Sequence, residues 1–513
     1  MRATEQTIDK VVTAEVSSPS SCDVGRLKAE QTEVAAVASG AAEAPLCVDL
    51  DGTLVRTDLA WECILSLLKN QPLALFLIPV WLLRGIARTK RKLAERVKLD
   101  VTALPYRAEC VSFVTEQREQ GRRIGLVTAA DDSLAEKVAE HLGLFDFVYG
   151  THGGENLKGE AKAALLRKKF GEGGYEYIGD SQADLPVWKD SRGAYVVGDA
   201  RLVRKVKGVA HVEGVFESQP ASLQTWLSAL RVHHWVKNAL LFLPMLLAHR
   251  FTFGVLRDTT FGFLLFGLCA SSIYIVNDLL DLHSDRAHPW KSKRPFATGD
   301  VSIPGGLLVS GLLAASTIAL GFWLNVQFGL VLILYILTTL LYSIYLKRVA
   351  LLDIFVLSSF YVIRIWAGAL VARVPLSDWF LAFSLFFFLS LATAKRYSEL
   401  MHAGALVDSG NSGRSYIDTD RALLMPLGIG SSFAAVIILA LYEHSQELLV
   451  LYPRPEPLLL ICPILLYWMS SIWLKAGRGE LDDDPLTLSI RDPMTFGVAA
   501  AILLVMAYGA GFL

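Results

Sequence analysis

Beyond Gln224 the chain is a succession of apolar segments, each long enough or nearly long enough to cross a hydrocarbon layer. The first runs from about Val236 to Ala248 and extends back through Trp235; the others centre on 259–279, 305–323, 327–345, 351–371, 379–394, 422–442, 457–474 and 493–512. Backbone in lipid must satisfy its own hydrogen bonds, so these segments predict an all-α membrane bundle of nine transmembrane helices over 226–513. The sequence before them reads differently. Residues 1–44 are Ala, Ser, Glu and Val in no clear period, with no secretory signal, and are expected to be a disordered tail. Residues 45–218 read as a soluble domain and 219–225, with a Pro and two Ser, as a linker. The net charge of −1 implies no attraction to nucleic acid. The six cysteines form no CxxC pair and no metal-ligand spacing, so they read as reduced, buried hydrophobes.

At the end of the second apolar segment stands NDLLDLHSDR, Asn277 to Arg286. Asp278, Asp281 and Asp285 are spaced i, i+3, i+7, and Asn277, Asp281 and Asp285 i, i+4, i+8, so both sets are expected along one helix face. Carboxylates gathered there repel unless a cation sits between them. A hard divalent ion with oxygen ligands, Mg²⁺ bridging to substrate phosphates, meets that need better than a solvated acidic helix end does. The loops on this side hold thirteen basic residues, among them Lys291, Lys293, Arg294, Lys347, Lys395, Arg396 and Arg414, against four on the other. Positive charge favours the cytoplasmic side. The first domain and the candidate residues are therefore expected in the cytoplasm, and the C-terminus outside. The acidic DDDP at 482–485 is expected to be a solvated loop, and His233–His234 lacks a matching ligand pair.

The soluble part carries its own chemistry. In PLCVDLDGTLVRTD an apolar strand ends in Asp49 and Asp51, two apart and so on one side of a continuing strand. One can attack phosphorus while the other gives and takes a proton. A second strand, Ile124 to Val127, ends in Thr128, whose hydroxyl and following N–H groups suit a phosphate; NLKGEAKAALL supplies Lys158, with Lys162 one turn on as the alternative; YEYIGDSQADLPVW supplies Asp180 and Asp184. These four pieces in this order resemble the haloacid dehalogenase (HAD) superfamily of phosphatases, over about 45–200. The resemblance implies an α/β fold with a Rossmann-like parallel sheet and a helical cap, here at about 59–120. It implies that Asp49 is the nucleophile and Asp51 the general acid/base, that Thr128 and Lys158 (preferred to Lys162) bind the phosphoryl group, and that Asp180 and Asp184 complete a Mg²⁺ site with Asp49 and Asp51. Within the cap segment, Pro72 to Ile86 is apolar and followed by Arg and Lys, too short to span. It is expected either to touch the membrane, the favoured reading, or to be buried in the cap itself.

NDLLDLHSD also matches the NDxxDxxxD signature of the UbiA superfamily of membrane prenyltransferases, a nine-helix fold. With LRVHHWVKN, AHPWKSKRPFATG, YSIYLKRVALLDI and ATAKRYSEL, the stretch 226–513 resembles its polyprenyl-phosphate phosphoribosyltransferase branch. That branch joins polyprenyl phosphate to C1 of phosphoribosyl pyrophosphate (PRPP) and releases pyrophosphate. The resemblance implies Mg²⁺ on Asn277, Asp278, Asp281 and Asp285, a second metal at Asp353, and polyanion binding by Lys237, Lys291, Lys293, Arg294, Lys347, Lys395 and Arg396. The expected partners are thus PRPP, a polyprenyl phosphate resembling decaprenyl phosphate, and the bilayer; a homo-oligomer stays open. The HAD part is then expected to remove the 5-phosphate from the lipid-linked product, since tethering raises effective concentration. The alternative is an aromatic prenyltransferase using a prenyl diphosphate, with a HAD part that is regulatory or serves another substrate.

Overall fold

A computed structural model of the chain describes residues 43–152, 156–218, 220–403, 416–442, 445, 448, 451–481 and 492–512. Most of the expected N-terminal tail, Gln219 of the linker, Arg414 and the DDDP at 482–485 lie outside the described residues. The chain divides into two compact units, Met1–Leu67 with Leu73–Pro220, and Leu68–Pro72 with Ala221–Leu513.

The first unit is built on a six-stranded sheet, β1 (Leu46–Val48), β2 (Ile124–Asp131), β3 (Phe147–Thr151), β4 (Glu176–Gly179), β5 (Gly193–Gly198) and β6 (Val212–Glu217), in the order β3-β2-β1-β4-β5-β6. Every neighbouring pair is parallel. Such sheets are covered on both faces, which is why β1 reads LCV without alternation. Leu46 and Val48 enter one core with Leu126 and Ile178, while Cys47 faces the other with Val127, Tyr177 and Trp188. β1 sits between β2 and β4 and the chain winds outward from it both ways, so the crevice at the strand ends opens beside Asp49. β1 stops at Val48 instead of continuing to Asp51, and β2 runs through Thr128 to Asp131 instead of ending at Val127. Between β1 and β2 lie α1 (Leu59–Asn70), two short turns over Pro72–Leu77 and Ile78–Leu82, α2 (Ile86–Arg96) and α3 (Ala108–Glu119). The other helices covering the sheet are α4 (Asp132–Leu142), α5 (Glu160–Phe170), α6 (Leu185–Asp190) and α7 (Ala200–Lys207).

The second unit is helical. Among the described residues seven helices are long and apolar enough to cross a membrane, where nine were expected. They are α8 (Phe253–Leu280), α10 (Ile303–Leu324), α11 (Val326–Ile344), α12 (Leu352–Ala372), α13 (Asp378–Ala403), α14 (Arg421–Tyr442, extended in its span from Asp418) and α15 (Ile461–Gly477, extended from Glu456); α9 (Leu282–Arg286) is a single short turn after α8. The expected first span is instead a 3-10 helix, Val232–Phe242, followed by the short helix Leu243–Leu247. Pro244 at the junction cannot donate to a continuing helix. The segment is held by its contacts: Leu241 O lies 2.1 Å from where a Cβ on Gly368 of α12 would be, so only glycine admits it. The expected last span is α16 (Pro493–Gly509), 17 residues, shorter than the other seven.

Candidate active sites

In the first unit the chain leaves β1 and turns sharply. Asp49 Oδ1 accepts from Leu50 N at 2.8 Å, and Leu54 and Val55 N both donate to Leu50 O. Gly52 is required twice over: its φ is +77°, and an added Cβ would stand 2.1 Å from Asp180 Oδ2. Asp180 and Asp184, on the turn after β4, are thereby brought beside Asp49, and one ligand oxygen from each of the three lies within 4.8 Å of the others. Asp184 is fixed by Ser181 Oγ at 2.9 Å and Tyr177 OH at 3.0 Å.

The lysine among these carboxylates is Lys162. Its Nζ lies 3.0 Å from Asp49 Oδ1 and 3.4 Å from Asp184 Oδ1, and donates to Tyr177 OH at 2.7 Å. Burial works against its charge, but Asp49 and Asp184 hold its pKa above the usual lysine value. The expectation of Lys158 is corrected: that residue is exposed in the loop before α5, which begins only after Gly159. Helical geometry then points Lys162, with Ala163 and Leu166, inward. Thr128 is fully buried in β2, its Oγ1 accepting from Ala130 N at 3.0 Å.

Asp51 accepts from Leu59 N at 3.0 Å, at the start of α1. Burial and the nearby Asp58 carboxylate raise its pKa well above the usual carboxylate range, which favours the protonated form that a general acid needs. Asp51 stands outside the cluster formed by Asp49, Asp180 and Asp184, which corrects its expected place among the metal ligands. Burial, then Asp49 and Asp184, raise Asp180 to about 8 as well. Three crowded oxygen donors whose mutual repulsion a divalent ion would relieve fit Mg²⁺. One residue that the sequence reading passed over also reaches this site: Lys90 of α2 donates to Ala129 O at 2.6 Å and feels the charges of Asp51, Asp58 and Asp49. A lysine within a surface run of basic residues gave no signal of that.

In the second unit α8 ends at Leu280, and Asp281, its C-cap with φ −96° and ψ 7°, interrupts the regular helix before α9. The i→i−4 ladder carries across it, Asp281 N donating to Asn277 O at 2.9 Å and Asp285 N to Asp281 O at 2.8 Å. Each carboxylate meets a cation. Asp278 pairs with Arg231 and, at 3.2 Å, with Arg294; Asp285 pairs with the same Arg294 nitrogen at 2.5 Å; both oxygens of Asp281 take Lys347 Nζ at 3.1 Å. Asp278 and Asp285 are buried. Asn277 Oδ1 is buried with no hydrogen-bond partner, an oxygen donor left over beside Asp278, as an added cation would use. The set offers oxygen donors of the kind Mg²⁺ takes, but among the described residues these carboxylates are each held by a cation and are not drawn together as Asp49, Asp180 and Asp184 are.

Asp353 is not part of this group. It is fully buried and paired with Arg396, whose Nη2 donates at 3.0 Å, and it accepts from Tyr342 OH at 2.6 Å; Arg396 also binds Glu399. In this structure Asp353 and Arg396, expected as a metal ligand and a polyanion-binding residue, are thus engaged with each other, in a buried pair apart from the signature aspartates. Lys237 Nζ lies 6.0 Å from the Tyr361 ring centre and Lys293 5.4 Å from that of Trp290. Lys237, Lys395 and Arg231 are within electrostatic reach of His234. Lys291 shares the 3-10 turn Lys291–Lys293 with Lys293. Arg231 was missed by the sequence reading, being one more basic residue before an apolar segment.

Residues 239–405 match the family model of the UbiA prenyltransferase family, and 46–189 that of haloacid dehalogenase-like hydrolases. The chain is 38% identical over 464 residues to the uncharacterized protein y4nM of Sinorhizobium fredii, covering 89% of each. It is 33% identical over 296 residues to nodulation protein NoeC of Azorhizobium caulinodans, covering 56% of this chain and 93% of that one. It is 38% identical over 229 residues to a decaprenyl-phosphate phosphoribosyltransferase of Mycolicibacterium smegmatis, covering 43% of this chain and 70% of that one.

Proposed function

This chain belongs to the UbiA prenyltransferase family, with a haloacid dehalogenase-like domain ahead of the membrane domain, and from that premise we propose that it makes and then trims a lipid-linked phosphoribose. The membrane unit transfers 5-phosphoribose from PRPP to a polyprenyl phosphate at the cytoplasmic face. The first unit removes the 5-phosphate. On this reading Val232–Leu247 and Pro493–Gly509 join the seven longer helices as two shorter membrane segments, and with the first unit in the cytoplasm an odd number of crossings would leave the C-terminus outside.

The observation that carries the transferase reading is the pairing of every aspartate of the signature with a cation, Arg231, Arg294 or Lys347. An aromatic acceptor has no use for that density of positive charge, whereas two phosphorylated substrates need it. Mg²⁺ bound at Asn277, Asp278 and Asp285 would neutralise the pyrophosphate leaving group. Arg294 and Lys347 then hold phosphate oxygens while the lipid phosphate attacks C1 of the ribose. In the first unit, Asp49 attacks the phosphorus, Lys162 holds the phosphoryl oxygens and Asp51 protonates the departing ribose oxygen. Asp51 then takes a proton from the water that hydrolyses the aspartyl-phosphate. Mg²⁺ at Asp49, Asp180 and Asp184 would offset the phosphoryl charge there.

The test is to incubate membranes carrying the protein with ribose-labelled PRPP, Mg²⁺ and polyprenyl phosphate, and in parallel with a prenyl diphosphate and an aromatic acid. Label is expected in the lipid phase of the first mixture only. Product from the second mixture alone would replace this reading with the aromatic prenyltransferase. A second prediction separates the two lysines. Lys162→Met is expected to lower phosphatase turnover on the order of 10²–10³-fold by removing a preorganised cation. The same change at exposed Lys158 leaves it near wild type; the opposite ranking returns the role to Lys158.

A further inference from the structure

Within the first unit, the stretch joining α1 to α2 is apolar on the wrong side for a soluble domain. Leu73 is 80% exposed, Phe76 79%, Leu83 88% and Ile86 56%. Soluble surfaces seldom gather large side chains so closely without a use for them. The face is preformed, because Ala74 and Trp81 point inward and Arg96 lies over the Trp81 ring at 5.2 Å. Arg84 and Arg88 stand exposed at its edge.

We propose that this face lies in the lipid–water interface of the membrane that the second unit spans. Three observations select lipid over other occupants. Pro72–Leu82 is apolar but only 11 residues long, enough to lie in an interface and too short to cross. Arg84 and Arg88 are placed to meet anionic headgroups as the apolar side chains enter. The same chain carries seven helices long and apolar enough to cross a membrane, so a bilayer surface is always at hand. The same cap carries Lys90 to the carbonyl of Ala129 beside the phosphatase carboxylates. Seating the face therefore presents that site to phosphate monoesters borne on membrane lipids. This substrate class rests on the phosphatase reading given above.

The test uses the full chain in lipid nanodiscs, with Cys22 replaced by serine; the five described cysteines are buried and will not label. Phe76→Cys and Leu83→Cys carry an environment-sensitive fluorophore, with exposed Glu172→Cys, in the loop leading into β4 at the end of the strands away from the carboxylates, as control. Nitroxide-labelled lipids are expected to remove most of the emission at 76 and 83 and little at 172. Emission at 76 and 83 that resists quenching overturns the proposal, as does shielding that develops only with two copies per disc, which would make a second chain the occupant. A second measurement uses Phe76→Ser with Leu83→Ser. Hydrolysis of soluble ribose 5-phosphate is expected to stay at the wild-type rate, while hydrolysis of a phosphorylated lipid in the bilayer falls by about tenfold as local concentration is lost. Equal rates on the lipid overturn it. A wild type that hydrolyses neither ester sinks the phosphatase reading, while the quenching still decides the placement of the face.

Discussion

Asp49→Asn is expected to abolish phosphate release, by a factor on the order of 10⁴ or more, and to leave lipid labelling from PRPP untouched. The carboxamide is nearly the same size, so the turn at Leu50 and Gly52 persists, but it cannot attack phosphorus and form the aspartyl-phosphate. It also leaves Lys162, 3.0 Å away, without its first counter-ion, so some loss of thermal stability is expected alongside. The informative readout is the lipid itself. Wild-type membranes are expected to accumulate lipid-linked ribose, and Asp49→Asn membranes the same lipid still bearing its 5-phosphate. If both yield the phosphorylated lipid, the first unit acts on another substrate.

Asp278→Asn is expected to give the mirror result: labelling of lipid from PRPP falls on the order of 10²–10³-fold or more, while hydrolysis of soluble phosphate esters by the first unit is unchanged. Asp278 is buried and paired with both Arg231 and Arg294, so the change removes a charge that would hold the metal and leaves Arg231 without this counter-ion. Arg294 still has Asp285, which keeps the loop in place and makes the loss one of chemistry more than of folding. Because the ligand charge is lost, raising the Mg²⁺ concentration should restore part of the activity. Undiminished labelling would remove Asp278 from the reaction.

Much of this was legible in the residues. An apolar run ending in DLDGT locates a strand and the crevice beside it, because β1 is buried on both faces and only its end meets water. The apolar segments locate the helices, since lipid leaves the backbone few choices. What escaped depended on where helices start and stop. The choice between Lys158 and Lys162 turns on α5 beginning after Gly159; the spacing of Lys162 to the buried Leu166, one turn on, was the available signal. The spacing of Asp278, Asp281 and Asp285 gave no sign that the regular helix breaks at Leu280, with Asp281 between α8 and α9. Pairings across long separations, such as Arg231 with Asp278 or Arg396 with Asp353, leave no periodic trace and emerge only from the fold.

The termination of α8 at Leu280 has an electrical meaning. Its 28 residues align their peptide dipoles so that roughly half a unit of negative charge gathers at the last turn, where Asp278 stands and Asp281 caps. Carboxylates are ordinarily least welcome there. Backbone and side chains therefore add to one electronegative well at the end of the span, into which Arg231, Arg294 and Lys347 have settled. Any cation resting in that well is held partly by the field of a whole helix, so replacing one aspartate makes the well shallower without emptying it.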